Sequence, residues 1–333
     1  MTRDKSTYIL PDRGTRERGQ AGLLVLGWAI VIAVVVGLVA VYFWTDIFKQ
    51  QDRDFADAKA ALAKENWSQA VTLFGKSLNA KPDNSAAYLG RARAYLHLGK
   101  LDKALEDLNQ AVSYGSGNAE AFGQRGVILK LQGKSDKAVE DFARAVALNP
   151  RYSWAYAQLA DIFMRKGDLD KALGTVNKAL DAKSDFIEGL RLRAVILTRV
   201  GKCKDAFEDF NRAEKLRPND VMALQDKAWF LLTCPDEKLQ DSTQAFEIAM
   251  KAFNLSEGKE ALVQETLAEA YFKQGESAKA AEHQKKAIEL QKKKCPDGSC
   301  VKDMQERLQK YELFGRQETR KDYEILPIDG AEK

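Results

Sequence analysis

The chain has 333 residues, of which 45% are hydrophobic, 30% are charged and only 7 are proline. That composition excludes a disordered chain and leaves room for two or three ordinary domains or one long repeat array. The 52 basic and 48 acidic residues nearly balance, so nucleic acid, whose binders concentrate basic charge on one face, is not an expected partner. The two histidines, His97 and His283, are far apart and lack neighbours at ligand spacing; no metal, cofactor or histidine-based catalysis is expected.

The first element in chain order is apolar. No charge falls between Arg18 and Asp46, and residues 21–44 read AGLLVLGWAIVIAVVVGLVAVYFW. At about 1.5 Å per residue such a helix reaches roughly 36 Å, enough to cross a hydrocarbon core of about 30 Å. The run is longer than the apolar core of a signal peptide and ends in bulky Tyr42, Phe43 and Trp44, not in a small-residue cleavage site. A transmembrane helix over 21–45 is therefore expected, after a short N-terminal segment at 1–20. That segment holds Arg3, Lys5, Arg13, Arg16 and Arg18, against Lys49, Arg53 and Lys59 on the other side. The excess places the N-terminus in the cytoplasm and everything after the span outside it.

Beyond the span the chain repeats. Ala70, Ala104, Ala138, Ala172 and Ala206 are each 34 residues apart, and Gly99, Gly133, Gly167 and Gly201 precede four of them by five residues. Phe74, Phe142 and Phe210 keep the same period, as do Pro82, Pro150 and Pro218. Each unit reads as a helical hairpin. The glycine closes the first helix, the alanine opens the second at a close crossing, the large apolar residue fills the gap to the next hairpin, and the proline ends the unit. One hairpin cannot bury its apolar face alone, so the units must stack.

The pattern resembles the tetratricopeptide-repeat family, most completely in Phe122, Gly126, Leu129, Gly133, Ala138, Phe142, Ala145 and Pro150. The resemblance implies an all-α, right-handed solenoid over 51–294 with repeats at 51–84, 85–118, 119–152, 153–186, 187–220, 221–260 and 261–294. The sixth departs from the period, since its alanine, Ala245, comes 39 residues after Ala206, with the insertion in the turn CPDEKLQDS. The surrounding stretch is similar to a variant unit of bacterial multi-repeat proteins. After KKKCPDGSC, Val301, Met304, Leu308 and Tyr311 fall on one helical face, giving an expected capping helix at 301–314. A loose tail is expected at 315–333.

Cys203 and Cys234 lie at nearly equivalent turns of successive repeats, and Cys295 and Cys300 flank one turn. Both pairs are candidate disulfides, in keeping with an oxidising compartment, with four separate thiols as the alternative.

In the family the first helix of each repeat lines a concave groove. The matching positions here include Arg93, His97, Lys130, Trp154, Asp161, Met164, Arg165, Arg191, Arg199, Trp229 and Phe272. The resemblance thus implies a mildly basic groove with exposed tryptophans, suited to an extended, acidic peptide, with ordinary solvated charges and a Trp154 packed between repeats as the plainer alternative. The lysine/asparagine/arginine clamp that holds chaperone tails in some members is not matched, because the corresponding positions read Leu89, Arg93 and Gln124. No GxSxG, P-loop or HExxH motif occurs. The expectation is a membrane-anchored, non-catalytic scaffold for a protein or peptide partner. The alternative is a structural subunit of a membrane complex or a self-assembling scaffold.

Overall fold

The structure, a computed structural model, describes residues 30–39, 41, 50, 52–295 and 298–324, with backbone alone at 294, 299 and 317–324. Most of the expected span over 21–45 lies outside the described residues. Within it, 30–39 are helical and expose their apolar side chains. No helix among the described residues is long and apolar enough to cross a membrane. The segment 1–20 and residues 325–333 are also outside the described set.

All regular structure among the described residues is helical. The chain divides into two compact units, Met1–Gly117 and Asn118–Lys333. In the first, helix α1 (52–63) pairs with α2 (Trp67–Ala80), and α3 (Ser85–His97) pairs with α4 (Leu101–Tyr114). Ala58, Ala61, Ala70, Phe74, Ala87 and Ala94 form its core.

The second unit holds five hairpins and a final helix. These are α5 (Ala119–Leu131) with α6 (Ser135–Leu148), α7 (Ser153–Arg165) with α8 (Leu169–Ala182), α9 (Ile187–Arg199) with α10 (Cys203–Leu216), and α11 (Val221–Thr233) with α12 (Ser242–Leu255). A fifth pair, α13 (Ala261–Lys273) with α14 (Ser277–Lys294), precedes α15 (Lys302–Glu324). Within this unit α9 packs on both α7 and α11, and α11 also packs on α13, so the first helices stand in a row.

The periodic residues do what their chemistry requires. Ala70, Ala104, Ala138, Ala172, Ala206, Ala245 and Ala280 are fully buried where the second helix crosses the first. A Cβ on Gly126 would lie 3.0 Å from the Phe142 ring, so the first helix approaches its partner through a missing side chain. Gly99, Gly133, Gly167 and Gly201 all have positive φ at the hairpin turn, as does Gly275 in the same phase of the seventh repeat. Two repeats depart from that rule. In the first, Glu65 takes the left-handed conformation, with φ 58°. In the sixth the phase falls on Pro235, whose ring forbids it. There the chain leaves α11 through an extended Cys234 (φ −57°, ψ 134°), makes a 3-10 turn at Glu237–Leu239 and starts α12 from Asp241. This is the physical reason for the inserted residues. The loop is a built turn, pinned by Gln240 Nε2 donating to the Cys234 carbonyl at 2.8 Å.

The last helix differs from its expected bounds of 301–314. It extends to Glu324, taking in part of the expected tail, because RQETRKDYE is a run of mostly helix-favouring residues with no proline to stop it. Its apolar face packs on the last hairpin: Val301 and Met304 meet Ile288, and Tyr311 meets Ala268, Ala280 and Ala281.

Candidate functional site

A first helix in this architecture turns one face to its second helix and leaves the other toward the row of first helices. On that row the charged side chains are arranged as a ladder. Lys130 on α5 contacts Gln158 and, at 3.4 Å, Asp161 on α7. Asp161 also accepts from Arg165 at 3.0 Å. Arg191 on α9 reaches Asp226 on α11 at 2.7 Å. Gln225 Nε2 on α11 donates to the Thr266 hydroxyl on α13 at 3.0 Å. Arg307 on α15 donates to Glu265 at 2.6 Å, and the Tyr311 hydroxyl donates to Glu269 at 2.6 Å, both on α13. Burial drives the Asp226 carboxyl upward despite Arg191, and does the same at Glu265 against the opposing pull of Arg307. The Tyr311 phenol is pushed far up by burial and by the carboxylate it faces.

Three of the basic residues expected in a mildly basic groove are members of this ladder. Lys130, Arg165 and Arg191 all engage carboxylates of the same face. Arg199 is exposed and lines a cavity between α9 and α11 with Trp229. Trp154 is not an open platform. Its ring meets Phe142 edge-on at 6.1 Å and stacks on Tyr152 at 5.6 Å, and it lies beside Gly123, so it packs between repeats. Met164 is buried in the core of the fourth repeat. Phe272 is covered by Tyr311 and Phe314 of α15. In the first unit Arg93 is exposed, and the His97 ring lies flat on Trp67 with centroids 3.8 Å apart.

Family models for the tetratricopeptide repeat match residues 61–123, 129–196 and 263–294. The chain carries tetratricopeptide repeats. The matches stop at 196 and resume at 263, on either side of the stretch whose turn is rebuilt around Pro235, yet α9 to α12 there form the same hairpins. Tetratricopeptide repeat protein 36 of Xenopus tropicalis is 38% identical over 88 residues, which are 25% of this chain and 44% of that protein. The chain thus spans less than half the length of the first curated relatives it matches. Among solved structures, a tetratricopeptide repeat protein from Parabacteroides merdae aligns over 80% of this chain and 99% of its own, at TM-score 0.60 and 18% identity. The pilF protein of Pseudomonas aeruginosa covers 67% of this chain and 99% of its own at TM-score 0.57 and 18% identity. At these identities the likeness is one of fold.

Tetratricopeptide hairpins in this chain carry a second periodic feature that the packing signature does not reveal. Arg91 pairs with Asp107, Arg125 with Asp141 and Arg193 with Asp209, each through two bonds of 2.7–2.8 Å. Each arginine sits 16 residues before its aspartate, and the bond to the carboxylate raises the guanidinium pKa further. The signal was present in the sequence as arginine and aspartate recurring on the repeat period. It ties the two helices of one hairpin together and is a structural device, not a ligand site.

The four cysteines lie as two neighbouring pairs, Cys203 with Cys234 and Cys295 with Cys300. Cys203 and Cys234 are buried in one core cluster, where burial, aided by the neighbouring Cys203, pushes the Cys234 thiol up to about 11. The Cys300 backbone N–H donates to Cys295 Sγ at 3.3 Å.

Proposed function

We propose that the protein is a membrane-anchored scaffold that holds a partner protein by an extended segment along the first-helix row of its second unit. The observation that carries this reading is the ladder itself. From α5 to α11 the row presents partly exposed polar side chains held by cross-helix bonds, Lys130 to Asp161 and Arg191 to Asp226, whereas the polar groups of α13 are buried against α11 and α15. A pre-ordered polar surface binds without a large cost of side-chain ordering. The paired charges make recognition depend on shape and on local groups such as Arg199, and less on a general basic character.

Position-specific photocrosslinking tests the face. A benzophenone amino acid in place of Arg165, exposed on α7, is expected to capture the partner in cells, and the same group in place of Lys178, exposed on α8, is not. Capture from Lys178 alone would move the site to the second helices.

The anchor belongs to the same proposal. The charge-free apolar run at 21–44 supports a single membrane pass, and the flanking charges support a repeat domain outside the cytoplasm of a bacterial cell. Protease added to spheroplasts is expected to degrade the repeats while leaving them membrane-bound in untreated cells. Repeats protected until the membrane is lysed would reverse the orientation, and repeats released by alkaline washing would remove the anchor.

A further inference from the structure

Between α9 and α11 the first-helix row opens into a cavity of about 160 Å³. Val195, Thr198 and Arg199 line it from α9, and Asp226, Trp229 and Thr233 from α11. The buried rings of Phe210 and Phe230 close it toward the core. Both threonine hydroxyls donate within their own helices, Thr198 to the Ala194 carbonyl at 2.8 Å and Thr233 to the Trp229 carbonyl at 2.7 Å. Asp226 is held by Arg191. The wall offered to a guest is therefore mainly methyl groups and aromatic carbon. The charge left over is Arg199, which is exposed and forms no ion pair among the described residues.

Size and charge together narrow the guest. An apolar cavity of roughly 150 Å³ takes a benzene-sized molecule, so this one has room for a single Phe- or Leu-sized side chain. A carboxylate inside it would face Asp226, whereas one at the mouth meets Arg199. A basic group at the mouth would be repelled by Arg199 and by Arg307, whose guanidinium lies 4.8 Å from the centre of the Trp229 ring.

We propose that this cavity is a side-chain subsite for a bound peptide, taking a Phe- or Leu-type residue whose neighbouring Asp or Glu pairs with Arg199. It rests on the reading of the first-helix row as the partner-binding face and names the short sequence that face selects. The cavity supplies affinity by excluding water from the apolar group, and Arg199 supplies selection by charge.

The test uses the full chain in detergent, labelled with 5-fluorotryptophan, with the Trp229 resonance assigned through Trp229→Phe. Three dipeptides, each acetylated at the N-terminus and amidated at the C-terminus, are titrated: Phe-Glu, Phe-Gln and Ala-Glu. Phe-Glu is expected to shift the Trp229 signal saturably. Phe-Gln should bind more weakly by up to about fivefold, the upper end for an exposed ion pair, and Ala-Glu should leave the signal unmoved. Arg199→Gln should abolish the preference for Phe-Glu over Phe-Gln while leaving the melting temperature unchanged. Val195→Phe, which fills the cavity, should abolish the Phe-Glu shift. A Trp229 signal unmoved by Phe-Glu, or a preference that survives Arg199→Gln, overturns the subsite. If crosslinks still form from Arg165 in that case, the subsite fails and the face reading stands. Crosslinks absent from Arg165 with a saturable Phe-Glu shift would fail the face reading instead.

Discussion

At the scale of single residues, the arginine–aspartate pairs decide how firmly each hairpin is closed. In the fifth repeat Asp209 is buried, while Arg193 keeps about a quarter of its side chain in solvent. The two ends of that bond are therefore unequal. Arg193→Met leaves a buried carboxylate without its two donors and should cost about 2–4 kcal/mol. Asp209→Asn keeps a hydrogen-bond acceptor and frees an arginine that can turn to water, and should cost roughly 1 kcal/mol. Urea unfolding of the two variants compares them directly, and equal losses would mean that the pair matters for packing volume and not for charge. These pairs were legible in the sequence only as a period. Nothing in the residue types says that arginine and aspartate 16 positions apart meet across a hairpin until the crossing of the two helices is known. The groove residues show the opposite limit. Their positions followed from the repeat register, but their partners did not, so Lys130, Arg165 and Arg191 read as available cations although carboxylates of the same row hold them.

At the scale of the hairpin, the turn residue sets the conformation. Gly201 has φ +78° and nothing within 4 Å of where a Cβ would stand, so Gly201→Ala pays only for the left-handed backbone, about 1 kcal/mol. Glu65 already carries such a cost at φ 58°. Glu65→Gly should therefore stabilise the first hairpin by roughly 0.5–1 kcal/mol. Thermal melts of the two variants should move in opposite directions, and a loss of stability in Glu65→Gly would show that its side chain makes a compensating contact. The alanines, glycines and large apolar residues made the hairpins readable from sequence because each answers a steric demand that recurs every 34 residues. The sixth turn was readable only as an insertion, since its path depends on how a proline is accommodated. The end of α15 at Glu324 is not legible because nothing in its sequence marks a stop before the last residues.

At the scale of the molecule, the proposed partner face is the first-helix row of the second unit, and the second helices pack the array. The fold was legible almost throughout, since repeat packing is written in residue size. The ligand was not, because the same signature residues serve packing in every member of the family. What distinguishes this chain is local: the cavity beside Trp229, the cation at its mouth and the last helix that reaches the row through Arg307 and Tyr311. Amide hydrogen exchange of the full chain in detergent, with and without the partner captured through Arg165, tests whether the first-helix row is the binding face. Binding along the first-helix row should add protection in α7, α9 and α11, with α8, α10 and α12 unchanged. Protection confined to the second helices, or spread evenly over both helices of each hairpin, would contradict it.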